Sequence, residues 1–263
     1  MSIVLEYDND FITPEKKFAF VISSYNSCKF INKNLNYVIT QNYPKHLYRI
    51  LYANDCSTDD SEKILNLFIK NHSDVNMILL NNKTRKGPAY SRHELINQTN
   101  DDEICVFLDG DDFLINLDTL NILNKAYCQN DIYATFGSMK DKNYQYTRWK
   151  KNYKRNNKDK IPNYYPHLRT SYSYICKTIP TDYLKYNDKW LMYCTDYAIF
   201  ICICELINNK FAYIKNILID YNLFNSKHKK EGYDYQKNNK IKSDRQKYIK
   251  HIKHLKPLNN III

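Results

Sequence analysis

Glycine is scarce in this chain. There are 4 in 263 residues: Gly87, Gly110, Gly137 and Gly232. The G-x-G-x-x-G dinucleotide loop and the P-loop both need clustered glycines, because backbone must approach phosphate closely, so both are excluded. Any nucleotide bound here has its phosphates neutralised by a metal and by side chains. No run of 18 apolar residues occurs, and no apolar leader segment opens the chain. Neither a transmembrane anchor nor a signal peptide is therefore expected. The 8 cysteines form no C-x-x-C pair and none stands at zinc spacing from a histidine. Several lie inside apolar runs, where Cys acts as a small hydrophobe. Reduced thiols and a cytoplasmic location are the expectation.

What is present is an ordered series of apolar segments that stop in polar residues. Val106-Phe107-Leu108 runs into Asp109-Gly110-Asp111-Asp112, three carboxylates in four residues. Carboxylates that close repel one another, and a divalent cation is the natural compensation. Hard oxygen ligands suit Mg²⁺ or Mn²⁺, which often bridge carboxylates to substrate phosphates. Upstream, Arg49-Ile50-Leu51-Tyr52-Ala53 ends in Asn54-Asp55-Cys56-Ser57-Thr58-Asp59-Asp60-Ser61. Ser57 or Thr58 is expected to cap the helix that follows, with acids favouring its positive end. Asp55 is not needed for capping and stands where open α/β sheets place ligands. A third such segment is Phe18 to Ile22, ending in Ser23-Ser24-Tyr25-Asn26.

Hydrophobic periodicity alternates between strand and helix through the first half, at 17–24, 28–41, 48–54, 59–71, 75–80, 88–99, 103–109, 117–130 and 131–137. This alternation predicts a mostly parallel sheet covered by helices on both faces, an α/β fold. The periodic signal then fades, and 139–165 reads as a loop. Residues 240–258 read as a basic amphipathic helix with Ile241, Tyr248, Ile249, Ile252 and Leu255 on one face. Such a stripe either docks on its own domain or lies on a membrane, and docking is favoured.

The formal net charge is +11, from 39 Lys and Arg against 28 Asp and Glu. The excess sits in Lys140–Lys160, interleaved with Tyr144, Tyr146, Trp149 and Tyr153, and in Lys227–Lys256. Basic blocks with aromatics suit nucleic acid or an anionic surface. A solvated loop in a Lys-, Asn-, Ile- and Tyr-rich chain is the simpler account, and nucleic acid is not the expected partner.

The order of these segments resembles the family 2 glycosyltransferases of GT-A fold. The resemblance rests on Ser24-Tyr25-Asn26, Asn54-Asp55-Cys56-Ser57-Thr58-Asp59, Gly87 with Arg92, and Asp109-Gly110-Asp111-Asp112. It implies a Rossmann-like nucleotide-binding half within 1–138, a smaller acceptor-binding half within 139–226, and a basic C-terminal segment, 227–263. It implies an inverting, metal-dependent enzyme that uses a nucleotide sugar, most simply a UDP-sugar, with Mn²⁺ or Mg²⁺. The acceptor is a glycan, protein or lipid that the residues do not name.

The resemblance also assigns roles. Ser23, Ser24, Tyr25, Asp55, Arg92, Asp109 and Asp111 would contact the nucleotide, with Tyr25 stacking on the base and Asp55 accepting from uracil N3–H. Asp111 and Asp112, with Asp109, would hold the metal. His167 and Arg169, in Pro166-His167-Leu168-Arg169-Thr170, are acceptor-side candidates. Asp196 matches the Asp of a Glu-Asp pair that opens a helix in the family and serves as catalytic base; Thr195 replaces the Glu. Asn54 replaces the first acid of the Asp-Asp pair, which keeps open a catalytically inactive nucleotide-sugar-binding relative. The segment 220–224 lacks the Arg and His common in relatives, and Lys227–Gly232 is read as a basic lid over the diphosphate.

Overall fold

The computed structural model describes residues 3–4, 14–140, 166–220 and 239–261. The strands are β1 (Ile3–Val4), β2 (Lys17–Ser24), β3 (Tyr48–Asn54), β4 (Met77–Asn81), β5 (Glu103–Asp109), β6 (Phe113–Leu114), β7 (Ala134–Lys140), β8 (Arg169–Tyr172), β9 (Lys185–Tyr186), β10 (Lys189–Trp190) and β11 (Phe211–Asp220). The helices are α1 (Ile31–Ile39), α2 (Ser61–Asn71), α3 (Pro88–Asn97), α4 (Thr119–Tyr127), α5 (Ser173–Lys177), α6 (Thr195–Leu206) and α7 (Asn239–His254).

The main sheet runs β1-β11-β7-β8-β5-β2-β3-β4, with β6 also paired to β11. Pairings among β2, β3, β4 and β5 are all parallel, while β8 is antiparallel to both β5 and β7. The sheet is thus mostly parallel, as the alternation of segments requires. Its antiparallel insert lies in the stretch where periodicity was silent.

Alternation along each strand builds two cores. Phe18, Phe20 and Ile22 of β2 point to one face and pack with Ile31, Leu35 and Val38 of α1 and Leu65 and Phe68 of α2. Ala19 and Val21 point to the other face, toward Ala89, Leu95 and Ile96 of α3 and Phe200 of α6. Each large apolar side chain buried this way contributes about 1.5–3 kcal/mol. Every residue of α6 except Asp196 is buried, which is why its sequence is apolar all round. Cys202 and Cys204 belong to that helix, and all eight cysteines are free thiols.

Two expectations change in detail. The segment predicted as helix from 28 forms a turn first, with Ser27 O accepting from Phe30 N and Ile31 N, before α1 starts at Ile31. Neither Ser57 nor Thr58 caps α2. Asp60 holds the cap position without a side-chain bond, because Ser57 Oγ accepts from Asn26 N at 2.8 Å and Thr58 N donates to Asn26 Oδ1 at 2.8 Å. Those bonds tie the loop after β3 to the loop after β2.

The tail helix docks, as favoured. Ile241 and Ile252 are buried, Tyr248 and Ile249 pack against the second core, and His251 Nε2 lies 3.1 Å from Lys185 O. The block 141–160 and the lid segment 227–232 lie outside the described residues. Among the described residues no helix is long and apolar enough to cross a membrane.

Candidate active site

The sheet order fixes where a site can form. The chain leaves β2 for β3 and β4 on one side, then crosses to β5 on the other. α1 after β2 covers one face and α3 before β5 covers the opposite face. A crevice opens at the carboxyl ends of strands at such a reversal. Register brings those ends level: Ser24 pairs with Asn54, and Ser23 with Asp109. A cavity of about 350 Å³ lies there. Ser23, Ser24, Tyr25, Asp55, Arg92, Asp109, Asp111, His167, Arg169 and Asp196 all line it. Of the candidate nucleotide, metal, acceptor and base residues read from sequence, only Asp112 does not line it; Asp112 is buried, 2% exposed.

The acidic turn is held from beneath by a residue that sequence reasoning passed over. Asn34 of α1 is fully buried, and its amide donates to Asp109 O at 3.1 Å and Asp112 O at 2.7 Å. Gly110 faces Ser24; a Cβ there would stand 2.6 Å from Ser24 Cβ. The turn therefore cannot carry a side chain at that position without moving β2. Asn34→Ala removes two buried bonds and should cost about 1–3 kcal/mol. Urea denaturation should show it as a lower midpoint with unchanged slope.

Within this turn the structure regroups the expected metal ligands. Asp109, Asp112 and His167 each offer one ligand atom, all within 4.8 Å of one another. Asp111 is not of this group and lies on the cavity wall. His167 is delivered by the segment entering β8. Because β8 runs antiparallel to β5, with Arg169 opposite Phe107, residue 167 falls beside the end of β5. Burial, then the nearby Arg169 cation, pushes the His167 imidazole well below its ordinary range. A neutral imidazole is the form that ligates metals. Two carboxylates and a neutral imidazole are ligand types that could hold a divalent cation. Asp111 is raised to about 6, by burial and then by Asp109. Arg92 pairs with Asp109 on the cavity side.

Opposite the turn, Asp55 has more work than expected. Oδ1 accepts from Asn82 Nδ2 at 2.8 Å and Lys86 N at 2.9 Å, and Oδ2 accepts from Gly87 N at 2.8 Å. The carboxylate thus shapes the loop leading into α3. Gly87 is needed there, at φ +91° with Met192 Sδ 2.5 Å from where a Cβ would be. The same loop carries Arg85, whose guanidinium lies 3.7 Å from the Tyr25 ring centre. Arg85 lines the cavity, and nothing in its sequence neighbourhood marks it. Asn54 does not line the cavity; its amide donates to Asn81 Oδ1 at 3.1 Å on β4. A second acid there would face a neighbouring strand, not a ligand.

Asp196 sits in the first turn of α6, where the helix dipole favours a carboxylate. Its Oδ2 lies 2.9 Å from Arg169 Nη1, with Asp196 one-third exposed and Arg169 almost fully buried. Burial pushes the acid up, but the Arg169 and Arg92 cations outweigh it and hold the group below its ordinary value. Asp196 is therefore ionised at neutral pH and faces the cavity. Thr195, in place of the family's Glu, is buried.

Comparison with known proteins gives the family and the fold. The sequence profile described as Glycosyl transferase family 2 matches residues 19–189. A stretch of 105 residues is 32% identical to the poly(ribitol-phosphate) beta-N-acetylglucosaminyltransferase TarS of Staphylococcus aureus, covering 40% of this chain and 18% of that protein. Another, of 98 residues, is 33% identical to a poly(ribitol-phosphate) beta-glucosyltransferase of Bacillus spizizenii, covering 37% and 15%. The chain thus matches less than a fifth of the length of each. Among solved structures, S. aureus TarS 1–349 with UDP-GlcNAc superposes with a TM-score of 0.60 at 22% identity, over 78% of this chain and 58% of that one. A Pyrobaculum calidifontis mannosyltransferase with GDP-Man and Mn²⁺ gives 0.59 at 12% identity, over 94% and 67%. These structures share the GT-A fold. Since the family profile covers well over half of its residues, from β2 to the β9–β10 hairpin, this chain belongs to glycosyl transferase family 2.

Proposed function

We propose that the protein is an inverting, metal-dependent glycosyltransferase that moves a sugar from a UDP-sugar to an acceptor hydroxyl. The observation that carries this reading is the meeting at one cavity of the Asp109, Asp112 and His167 group and an ionised Asp196, joined through Arg169, which contacts both His167 and Asp196. TarS, solved with UDP-GlcNAc, supports the choice of donor, and the mannosyltransferase solved with Mn²⁺ supports the metal.

In this reading residues 1–138 form the donor half, 139–226 the acceptor half, and 227–263 a basic tail. Tyr25 and Asp55 bracket the base, with the 82–87 loop that Asp55 holds forming the rim. A divalent cation held by Asp109, Asp112 and His167 would neutralise the diphosphate as it leaves. Asp196 takes the proton from the acceptor hydroxyl. The acceptor oxygen forms a bond to the anomeric carbon as the bond to the diphosphate oxygen breaks, releasing UDP. A single displacement of this kind inverts the anomeric centre. Arg169 keeps Asp196 charged and oriented.

The test is a thermal-shift series with UDP, UDP-GlcNAc and GDP, each with Mn²⁺ and with EDTA. UDP and its sugar should raise Tm only with the metal. Equal shifts in EDTA would remove the metal from the site, and no shift with any nucleotide would sink the reading. The inactive-relative alternative loses its main support, because Asn54 lies outside the cavity.

A further inference from the structure

The apolar stripe of α7 is used up inside the protein. Ile241 and Ile252 are buried, and the Tyr248 ring lies 6.3 Å from that of Tyr193 and 5.5 Å from that of Tyr186. His251 Nε2 meets Lys185 O at 3.1 Å. The helix is thus fixed through one side, and its other side is left outward. That side is basic. Successive residues of a helix turn by about 100°. Steps of four, four and three therefore put Lys242, Gln246, Lys250 and Lys253 on one line, opposite the stripe. Lys242, Gln246 and Lys250 are exposed, and Lys253 is partly so. α7 carries six Lys and Arg against one acid, Asp244, which lies off this line and 3.7 Å from Lys247. Among the described residues, Lys242, Lys250 and Lys253 have no carboxylate partner. From Lys242 to Lys253 the line runs about 16 Å along the helix. Ammonium groups in such a row repel one another, and an anionic partner outside the protein is what relieves them.

Two features choose that partner. The face carries no aromatic ring, because Tyr248 is turned inward, so it lacks the stacking surface that holds single-stranded nucleic acid. Its cations are lysines, since Arg245, the one arginine of α7, lies to the side and lines the cavity. A lysine is a hydrated point charge suited to a diffuse field, whereas arginine's planar fork suits a defined phosphate. An anionic lipid surface supplies such a field, worth about fivefold in affinity for each lysine near it. A straight, fixed strip also meets a flat array of headgroups in any register. We propose that the outward face of α7 docks this protein on an anionic membrane surface. Binding is by charge and without insertion, because the apolar stripe that would enter lipid is already held in the core. Arg245, at the flank, places the cavity beside the docked helix. The face takes no part in the transfer proposed above, so the inference stands apart from that reading.

The test is sedimentation of the full chain with vesicles of phosphatidylcholine alone and of phosphatidylcholine with about 30% phosphatidylglycerol. Only the anionic vesicles should carry the protein down, at about 0.05 M NaCl and not at about 0.5 M. Lys242→Gln, Lys250→Gln and Lys253→Gln together should weaken that binding by about a hundredfold. Their Tm should stay unchanged, since the three side chains point outward. Arginine at the same three positions should keep the binding. Lys45→Gln, Lys63→Gln and Lys70→Gln, three exposed lysines outside α7, remove the same charge and should have little effect. Equal loss in this second set overturns the proposal, because it assigns binding to net charge. So does equal binding to the neutral vesicles, or binding that survives high salt. No binding to anionic vesicles overturns it as well, and so does capture of a 20-nucleotide RNA, about the span of a few stacking sites, by the same lysines in a protein that ignores vesicles.

Discussion

Asp196→Asn should lower transfer by about 10²-fold or more while the protein still folds and still binds metal and UDP-sugar. The expectation follows from position. The carboxylate faces the cavity from the first turn of α6 and is held ionised by Arg169 and Arg92 against the opposing effect of burial. Asn keeps the shape and an oxygen that accepts from Arg169, but it cannot take a proton. A base acts on the acceptor, so donor affinity should stay within about twofold, as for a group whose work is confined to the transition state. Transfer rate and UDP affinity measured on the same preparation separate the two effects. Full activity in the variant would remove Asp196 from catalysis.

Asp112→Asn should abolish the Mn²⁺-dependent response to UDP, and Asp111→Asn should leave most of it. Saturation at about a hundred times Kd adds about 2.7 kcal/mol of stability. For a chain of this size that is a Tm rise of roughly 5–10 °C. Loss of one member of the Asp109, Asp112 and His167 group should erase the rise, while Asp111 lies beside the group and not in it. The apo proteins provide a second check. Asp111 binds its proton more tightly folded than unfolded, at about 6 against an ordinary 3.8. Ionising it therefore costs stability as pH rises between those values. Asp111→Asn should flatten that part of the profile. Metal–UDP binding lost equally in both variants would restore Asp111 as a ligand.

Much of this site was legible from sequence. β2, β3 and β5 end where expected, because each is a short alternating run halted by polar residues at a sheet's carboxyl edge. That pattern is local, so composition alone displays it. His167 and Arg169 were found through a resemblance, but their placement was not legible. It depends on β8 pairing antiparallel with β5, a contact between distant segments. Asn34 and Arg85 were missed for the same reason: one reaches the acidic turn across the helix–sheet interface, and the other is set by backbone N–H groups held on Asp55. Asp111 and Asp112 look equivalent in sequence, yet successive positions in a turn point in different directions, and only the fold chooses between them.

The position of β8 bears on how the chain assembles. This strand lies between β5 and β7, although both precede it in the sequence. Until residues 169–172 arrive, β5 and β7 share no neighbour. Each then presents a bare row of backbone donors and acceptors, the kind of edge on which other chains add strands. The segment that closes the gap between β5 and β7 is also the one that brings the imidazole and guanidinium into place, ahead of Asp196 on α6 and of β11 on the far side of β7.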